Sequence, residues 1–274
     1  MRCDGKTKPN KYIRVTGRLR FELRDRLEQA VTVVEEGRND LTFLCDNRDE
    51  VWRVMTLLVK EEGTIEWLRK NAGPGTILFD IGANIGLYTI YGASLVGKSG
   101  HVFAFEPHVV NFAHLIANVN ANKFNEQVSA LSLALFDESG LFPFSYFDWA
   151  AGASKNQIDN GDSATGVFRE LKYAAVLDEL VDSGRLPAPH LIKIDVDGVE
   201  AQIVRGMKRL MQSDRRPLSI QVEIQKGDNG DIAALMEGQG YKLDHRHFTM
   251  AGKNKLKRGL TLDRIAHNCV FVPA

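Results

Sequence analysis

From Thr76 onward the apolar positions switch repeatedly between two periods. Ile77-Leu78-Phe79 is a short continuous apolar run, the mark of a strand buried on both faces, and it ends on Asp80 just ahead of Gly82 and Gly86. Ile90, Tyr91 and Leu95 then recur at helical spacing until Gly97. A second strand, His101 to Phe105, is stopped by Pro107. The stripe Val109, Phe112, Ala113, Ile116 and Val119 predicts the helix after it, and Val128 to Leu135 a third strand. Val176, Leu177, Leu180 and Val181 predict a helix closed by Gly184, followed by a fourth strand, Leu191 to Asp195. Ile203, Val204, Met207, Leu210 and Met211 return to helical spacing before a fifth strand, Leu218 to Ile224. Ile232, Leu235 and Met236 suggest one more helix, and Tyr241–Leu243 and Cys269–Val272 two closing strands. Strands alternating with helices over this distance imply parallel pairing through right-handed crossovers, a doubly wound, Rossmann-like α/β sheet.

Ahead of this core, Val31–Val34 and Leu41–Leu44 read as a hairpin joined by the turn 36–40. Val51, Trp52, Met55 and Leu58 predict a helix, and Thr64 opens a second short one carrying Ile65 and Leu68, ended by Asn71-Ala72-Gly73-Pro74-Gly75. The expected organisation is an N-terminal α/β extension over 1–72 packed on a core domain over 73–274. Between Phe136 and Thr165 the periodicity disappears while Phe142, Phe144, Tyr146, Phe147 and Trp149 crowd together. That stretch is either a loop walling a substrate pocket or a further pair of strands covering the sheet. Lys253, Lys255, Lys257 and Arg258 are expected in a solvated, Gly-containing loop.

With 274 residues, 44% of them hydrophobic, the chain is large enough for one such domain and its extension. Its formal charge is zero, so no global field recruits nucleic acid or an anionic surface. Met1–Arg20 holds seven Lys/Arg against one acid and reads as a basic tail without the apolar segment of a secretory signal. No run of 18 apolar residues suggests membrane insertion. Cys3, Cys45 and Cys269 lie far apart, as in a reducing, cytoplasmic setting. Oligomeric state is left open.

The chemistry gathers at strand ends. Asp80-x-Gly82-x-x-x-Gly86 is a strand–turn–helix, and its glycines allow a close backbone approach. A dinucleotide fingerprint would lack the acid; here a carboxylate repels a pyrophosphate, disfavours a nicotinamide cofactor and suits a cationic ligand. Glu106 stands 20 residues past Gly86, where an acidic side chain accepts both hydroxyls of a ribose. Asp195 ends the fourth strand, and in open α/β sheets ligands collect outside such ends. Lys193 shares its face and either holds Asp195 ionised or pairs with Glu223 on the next strand. Asp197 and Glu200 have the spacing of a capping box.

Phe79-Asp80-Ile81-Gly82-Ala83-Asn84-Ile85-Gly86, Phe105-Glu106-Pro107 and Ile192 to Glu200 together resemble the FkbM family of class I S-adenosylmethionine-dependent methyltransferases, over about Glu61 to Gln225. The resemblance implies seven strands with the last antiparallel. It also implies an S-adenosylmethionine site at Asp80, Gly82, Ala83, Asn84, Gly86 and Glu106, with Ala134 and Leu135 against adenine. In the family the segment holding Glu61, Glu62 and Thr64 packs beside the cofactor cleft. The implied reaction is O-methylation of a small molecule or carbohydrate. A hydroxyl acceptor must lose its proton, which makes Asp195, with Lys193, the expected catalytic pair. Catechol-type relatives would place a divalent metal near Asp195 and Glu223, but the neighbouring Asp-Asn pair is missing, Glu223 being followed by Ile224-Gln225, so a divalent metal is not favoured. His245 and His247 lack a third ligand. The rival readings are an N-methyltransferase on the same cofactor and a non-catalytic S-adenosylmethionine-binding protein.

Overall fold

The computed structural model describes residues 29–33, 35, 40–153, 157–158, 168–227 and 231–274. The basic tail, Cys3 and most of the 36–40 turn lie outside them. The chain begins with the antiparallel pair β1 (Gln29–Val33) and β2 (Leu41–Cys45), then α1 (Arg48–Met55), α2 (Leu57–Lys60) and α3 (Glu62–Asn71). Helix α1 starts where it does because Asn47 and Glu50 form a reciprocal capping box. The buried residues Leu41, Phe43, Leu57, Ile65, Trp67 and Leu68 join one apolar cluster with Leu78, Ile90 and Val102 of the core, and Trp67 Nε1 donates to Ser219 Oγ at 2.9 Å.

The core then runs β3 (Ile77–Ile81), α4 (Leu87–Val96), β4 (His101–Phe105), α5 (Val109–Ala121), β5 (Val128–Leu131), β6 (Ala134–Phe136), β7 (Gly140–Tyr146), β8 (Gln157–Ile158), β9 (Phe168–Val176), α6 (Leu177–Asp182) and β10 (Leu191–Ile194). It finishes with α7 (Glu200–Arg205), α8 (Lys208–Gln212), β11 (Ser219–Ile224), α9 (Asp231–Gly238), β12 (Tyr241–His247), α10 (Met250–Lys257) and β13 (His267–Pro273). Seven strands make the main sheet in the order β12-β13-β11-β10-β3-β4-β5. β13 runs antiparallel to both its neighbours, while β10, β3, β4, β5 and β11 are parallel. Because β3 and β10 are adjacent, with Lys193 opposite Asp80, the two acidic strand ends meet at one edge of the sheet.

Two features differ from the sequence reading, and one alternative it left open is decided. The run Val128–Leu135 is not one strand: β5 ends at Leu131, and Ala134–Leu135 open β6 in a second sheet ordered β6-β9-β7-β8. The aromatic stretch accordingly contains strands, although residues 159–167 lie outside the described ones. Pro143 inside β7, together with the exposed Leu141, Leu171 and Tyr173, hides this sheet from a period-two search. Its aromatics pack on each other, Tyr146 lying 4.5 Å from His108 and 5.3 Å from Trp149 between ring centroids. Finally, Lys253, Lys255 and Lys257 stand on helix α10, capped by Thr249, and not in a loop. Cys45 and Cys269 are buried thiols.

Candidate active site

Lys193 is the centre of the cleft. Its side chain is 2% exposed, its Nζ lies 2.9 Å from Asp195 Oδ2 and 3.7 Å from Asp80 Oδ1, and it sits 4.9 Å over the Tyr88 ring. Burial works against the ammonium, but the Asp195, Asp80 and Glu61 carboxylates outweigh it and raise its pKa. Asp195 shows the reverse balance: burial opposes its charge, and Lys193 more than compensates, so its pKa falls. Of the two pairings the sequence left open, Lys193 takes the one with Asp195.

Glu223, on the neighbouring β11, shares a hydrogen bond with Asp195 and accepts one from Gln225 Nε2 at 2.5 Å. Burial and the charges of Asp195 and Glu61 push its pKa up to about 10, so near neutrality Glu223 is the protonated donor and Asp195 the ionised acceptor. Glu61 is hydrogen-bonded to the Tyr88 hydroxyl, and burial, then the Glu61 charge, raise that phenol's pKa. The cavity these groups enclose measures about 160 Å³ and is also lined by Arg53, Lys60, Gly82, Ala83, Asn84 and Asp197. Asp80 stands one layer back, accepting from Thr89 Oγ1 at 2.6 Å and facing Lys193, and it is kept from the cavity wall.

The Gly-rich turn is held from inside the protein. Gly82 has φ +80°, and a Cβ there would lie 1.9 Å from the Asp195 carbonyl oxygen; Gly86, with φ +90°, would meet Leu115. The close approach these glycines allow is therefore between elements of the chain, and it fixes Asp195 against β3. Gly82 N and Ala83 N both donate to Phe105 O at 3.0 Å. Asn84, at φ +52°, donates its N–H to Glu106 Oε2 at 2.6 Å, and His108 N reaches Glu106 Oε1 at 2.8 Å. Burial pushes the Glu106 carboxyl up to about 7 against these two backbone donors.

A strap is tied to the Gly-rich turn: the Asn84 and Asn111 side-chain amides both donate to Ala153 O, at 3.0 and 3.1 Å, and Gly152 N donates to Asn111 Oδ1 at 2.8 Å. Ala134 and Leu135, with Phe105, Phe144, Val196 and Ile203, line a second, apolar cavity of about 30 Å³ on the other side of Gly82. The sequence-selected residues thus lie near the Gly82 turn but apart from one another: Lys193, Asp195, Gly82, Ala83 and Asn84 on the polar cavity, Ala134 and Leu135 on the apolar one, Glu106 buried against the Asn84 and His108 amides, and Asp80 and Gly86 behind the turn.

The capping expectation for Asp197 is corrected. Val199 is the N-cap of α7, Glu200 accepts from Gly198 N at 3.1 and 3.2 Å, and Asp197, at φ +24°, turns to the polar cavity. The sequence does not single out Tyr88, Arg53 or Lys60, and it places Glu61 only within a segment expected beside the cleft. The available signal for Tyr88 was its place in the first turn after Gly86. Glu62 is exposed and meets Lys253 at 3.4 Å. Thr64 is buried against His247 Nε2 at 3.2 Å, and burial lowers that imidazole to about 4. Among the described residues no three His, Cys, Asp or Glu side chains are grouped for a metal, and no helix is long and apolar enough to cross a membrane.

The seven-stranded order with one antiparallel strand, and acids at the ends of the adjacent strands β10, β3 and β4, define a class I methyltransferase. Residues 80–243 match the methyltransferase FkbM domain, and the chain belongs to this family of S-adenosylmethionine-dependent methyltransferases. It is 30% identical over 195 residues to the hexuronic acid methyltransferase AglP of Haloferax volcanii, covering 71% of this chain and 74% of that protein. Identity to the 31-O-demethyl-FK506 methyltransferase FkbM of Streptomyces tacrolimicus is 26% over 193 residues, 61% of this chain and 73% of that one. A solved methyltransferase FkbM from Methylobacillus flagellatus KT overlaps 81% of this chain and 58% of its own, with TM-score 0.47 and 13% identity.

Proposed function

We propose that the protein methylates a hydroxyl on a sugar unit, with Asp195 as the base. The observation that carries this reading is the setting of Asp195: its side chain keeps 28% exposure at the cavity while Lys193 behind it is buried, so an ionised oxygen is presented to whatever enters. When bound, S-adenosylmethionine supplies an electrophilic methyl group on a cationic sulfur. The cleft suits such a group. Glu61, Asp195 and Asp197 face positive charge, Arg53 and Lys60 face a carboxylate, and the apolar wall of Ala134 and Leu135 suits adenine. Glu106 carries two oxygens that match a cis-diol. The acceptor hydroxyl's proton passes to Asp195 as its oxygen would take the methyl group, whose carbon–sulfur bond would break to leave a neutral thioether; the protonated Glu223 stays hydrogen-bonded to that carboxylate and fixes its orientation.

A sugar acceptor is favoured by the likeness to a hexuronic acid methyltransferase. Methyl-labelled cofactor should be incubated with simple glycosides, uronic acids and amino sugars. The expected product is a methyl ether, stable to mild alkali. An alkali-labile ester would move the acceptor to a carboxyl group, and label on amines would move it to nitrogen.

Glu106 supplies a separate test. With a pKa of about 7 it is mostly protonated at pH 6 and mostly ionised at pH 8. If ionised Glu106 receives the ribose, affinity for S-adenosylhomocysteine rises about tenfold between those pH values, and Glu106→Gln flattens the dependence. Stability runs the opposite way. A carboxyl raised from 4.5 to about 7 binds more protons folded than unfolded, so its contribution is present below about 4.5 and is lost as pH climbs through about 7. Calorimetric titration and thermal melts across this range check both signs.

A further inference from the structure

A second, wider depression opens beside the cleft. It encloses about 520 Å³ and is lined by Asp49, Trp52, Arg53, Phe147, Asp148, Gly152 and Ala153. Arg53 lines both spaces, so the depression continues the cleft past one guanidinium. Its edge is tied to the Gly-rich turn, because Ala153 accepts the Asn84 amide.

The chemistry of the wall is selective. Trp52 is 55% exposed although it is a large apolar side chain, and the Lys60 ammonium stands 5.3 Å from its ring centroid. An exposed indole at the lip of a cavity is costly surface that a flat, partly apolar ligand would cover. Phe147 adds a second ring, while Asp49 and Asp148 add carboxylates, which accept paired hydroxyls and repel phosphate. A pyranose meets both demands: its C–H face lies on an aromatic ring, and its rim of hydroxyls donates to acids. A nucleotide or a fatty chain meets only one.

Resting on the reading of the cleft as a sugar methylation site, we propose that this depression is a second sugar subsite. The acceptor is then an oligosaccharide or glycoconjugate of at least two rings, one presenting its hydroxyl to Asp195 and its neighbour stacked on Trp52. Arg53, at the junction, lies where the glycosidic linkage crosses and orients both units.

The test compares methyl transfer to a one-ring glycoside with transfer to the disaccharide ending in the same unit. In the wild type, kcat/KM should be about tenfold or more higher for the disaccharide, the worth of one well-stacked ring. Trp52→Ala should remove that advantage, mostly through KM, and Trp52→Phe should restore part of it. Equal kcat/KM for the two acceptors in the wild type, or an undiminished advantage in Trp52→Ala, overturns the subsite while leaving sugar methylation standing. Failure to methylate any sugar, with S-adenosylhomocysteine still bound, removes the acceptor reading and this inference with it.

Discussion

Asp195→Asn should lower kcat for a hydroxyl acceptor by about 10² to 10⁴, the usual worth of a positioned general base. The substitution keeps the size of the side chain and an oxygen that can still accept from Lys193 Nζ, now at 2.9 Å, so the cleft should hold its shape. What disappears is the charge that takes the proton. Because Lys193 overrides burial and holds the Asp195 carboxyl below the ordinary carboxylate range, the wild-type kcat at saturating cofactor should be nearly level from about pH 5 to 8. In the variant the rate should climb with pH, since the hydroxyl must then lose its proton to solvent. S-adenosylhomocysteine affinity, measured by calorimetry, should change only a few-fold. A variant that keeps more than about a third of wild-type kcat would exclude Asp195 as base and point to an acceptor that needs no deprotonation, such as an amine.

The parts of this site that could be read from sequence are those fixed by local pattern. A buried parallel strand must be apolar along its length, so a carboxylate at its last position stands out, and Asp80, Glu106 and Asp195 were all visible for that reason. Their division of labour was not. Asp80 and Lys193 face each other only because β3 and β10 pair in a particular register, which the sequence does not display. Glu61 and Arg53 reach the cavity because α1, α2 and α3 pack beside β3, a contact between segments tens of residues apart. Glu223 was visible as a strand-end acid, but its protonated state follows from sharing a buried site with Asp195. The second sheet was legible only as one of two alternatives for the aromatic stretch, because its strands put Leu141, Leu171 and Tyr173 toward solvent, so polarity and burial do not alternate in step. The basic residues of α10 misled through their flanking glycines, which suggested a loop although the Thr249 cap starts a helix.

Gly82→Ala should be the most disruptive single change in the turn, costing about 4 kcal/mol or more of folding stability, a large share of the usual 5–15. Two penalties combine. At φ +80° an L side chain is strained by about 1–2 kcal/mol. The new methyl would also lie 1.9 Å from the Asp195 carbonyl oxygen and 2.9 Å from Val196 Cγ1. The carbonyl cannot swing aside cheaply, because Asp195 N is bonded to Ile81 O at 3.0 Å and holds the end of β10 against β3. Gly184→Ala separates the two terms: its φ is +72°, but nothing lies within 4 Å of the added carbon, so only the strain of about 1–2 kcal/mol is expected. Urea denaturation of both variants at unchanged m-value measures the difference. Near-equal losses would mean that the end of β10 yields freely. In that case the turn would not fix Asp195, and Gly82→Ala should leave kcat intact; a rigid contact predicts that whatever fraction folds at low temperature is catalytically impaired, because the base has been pushed out of line.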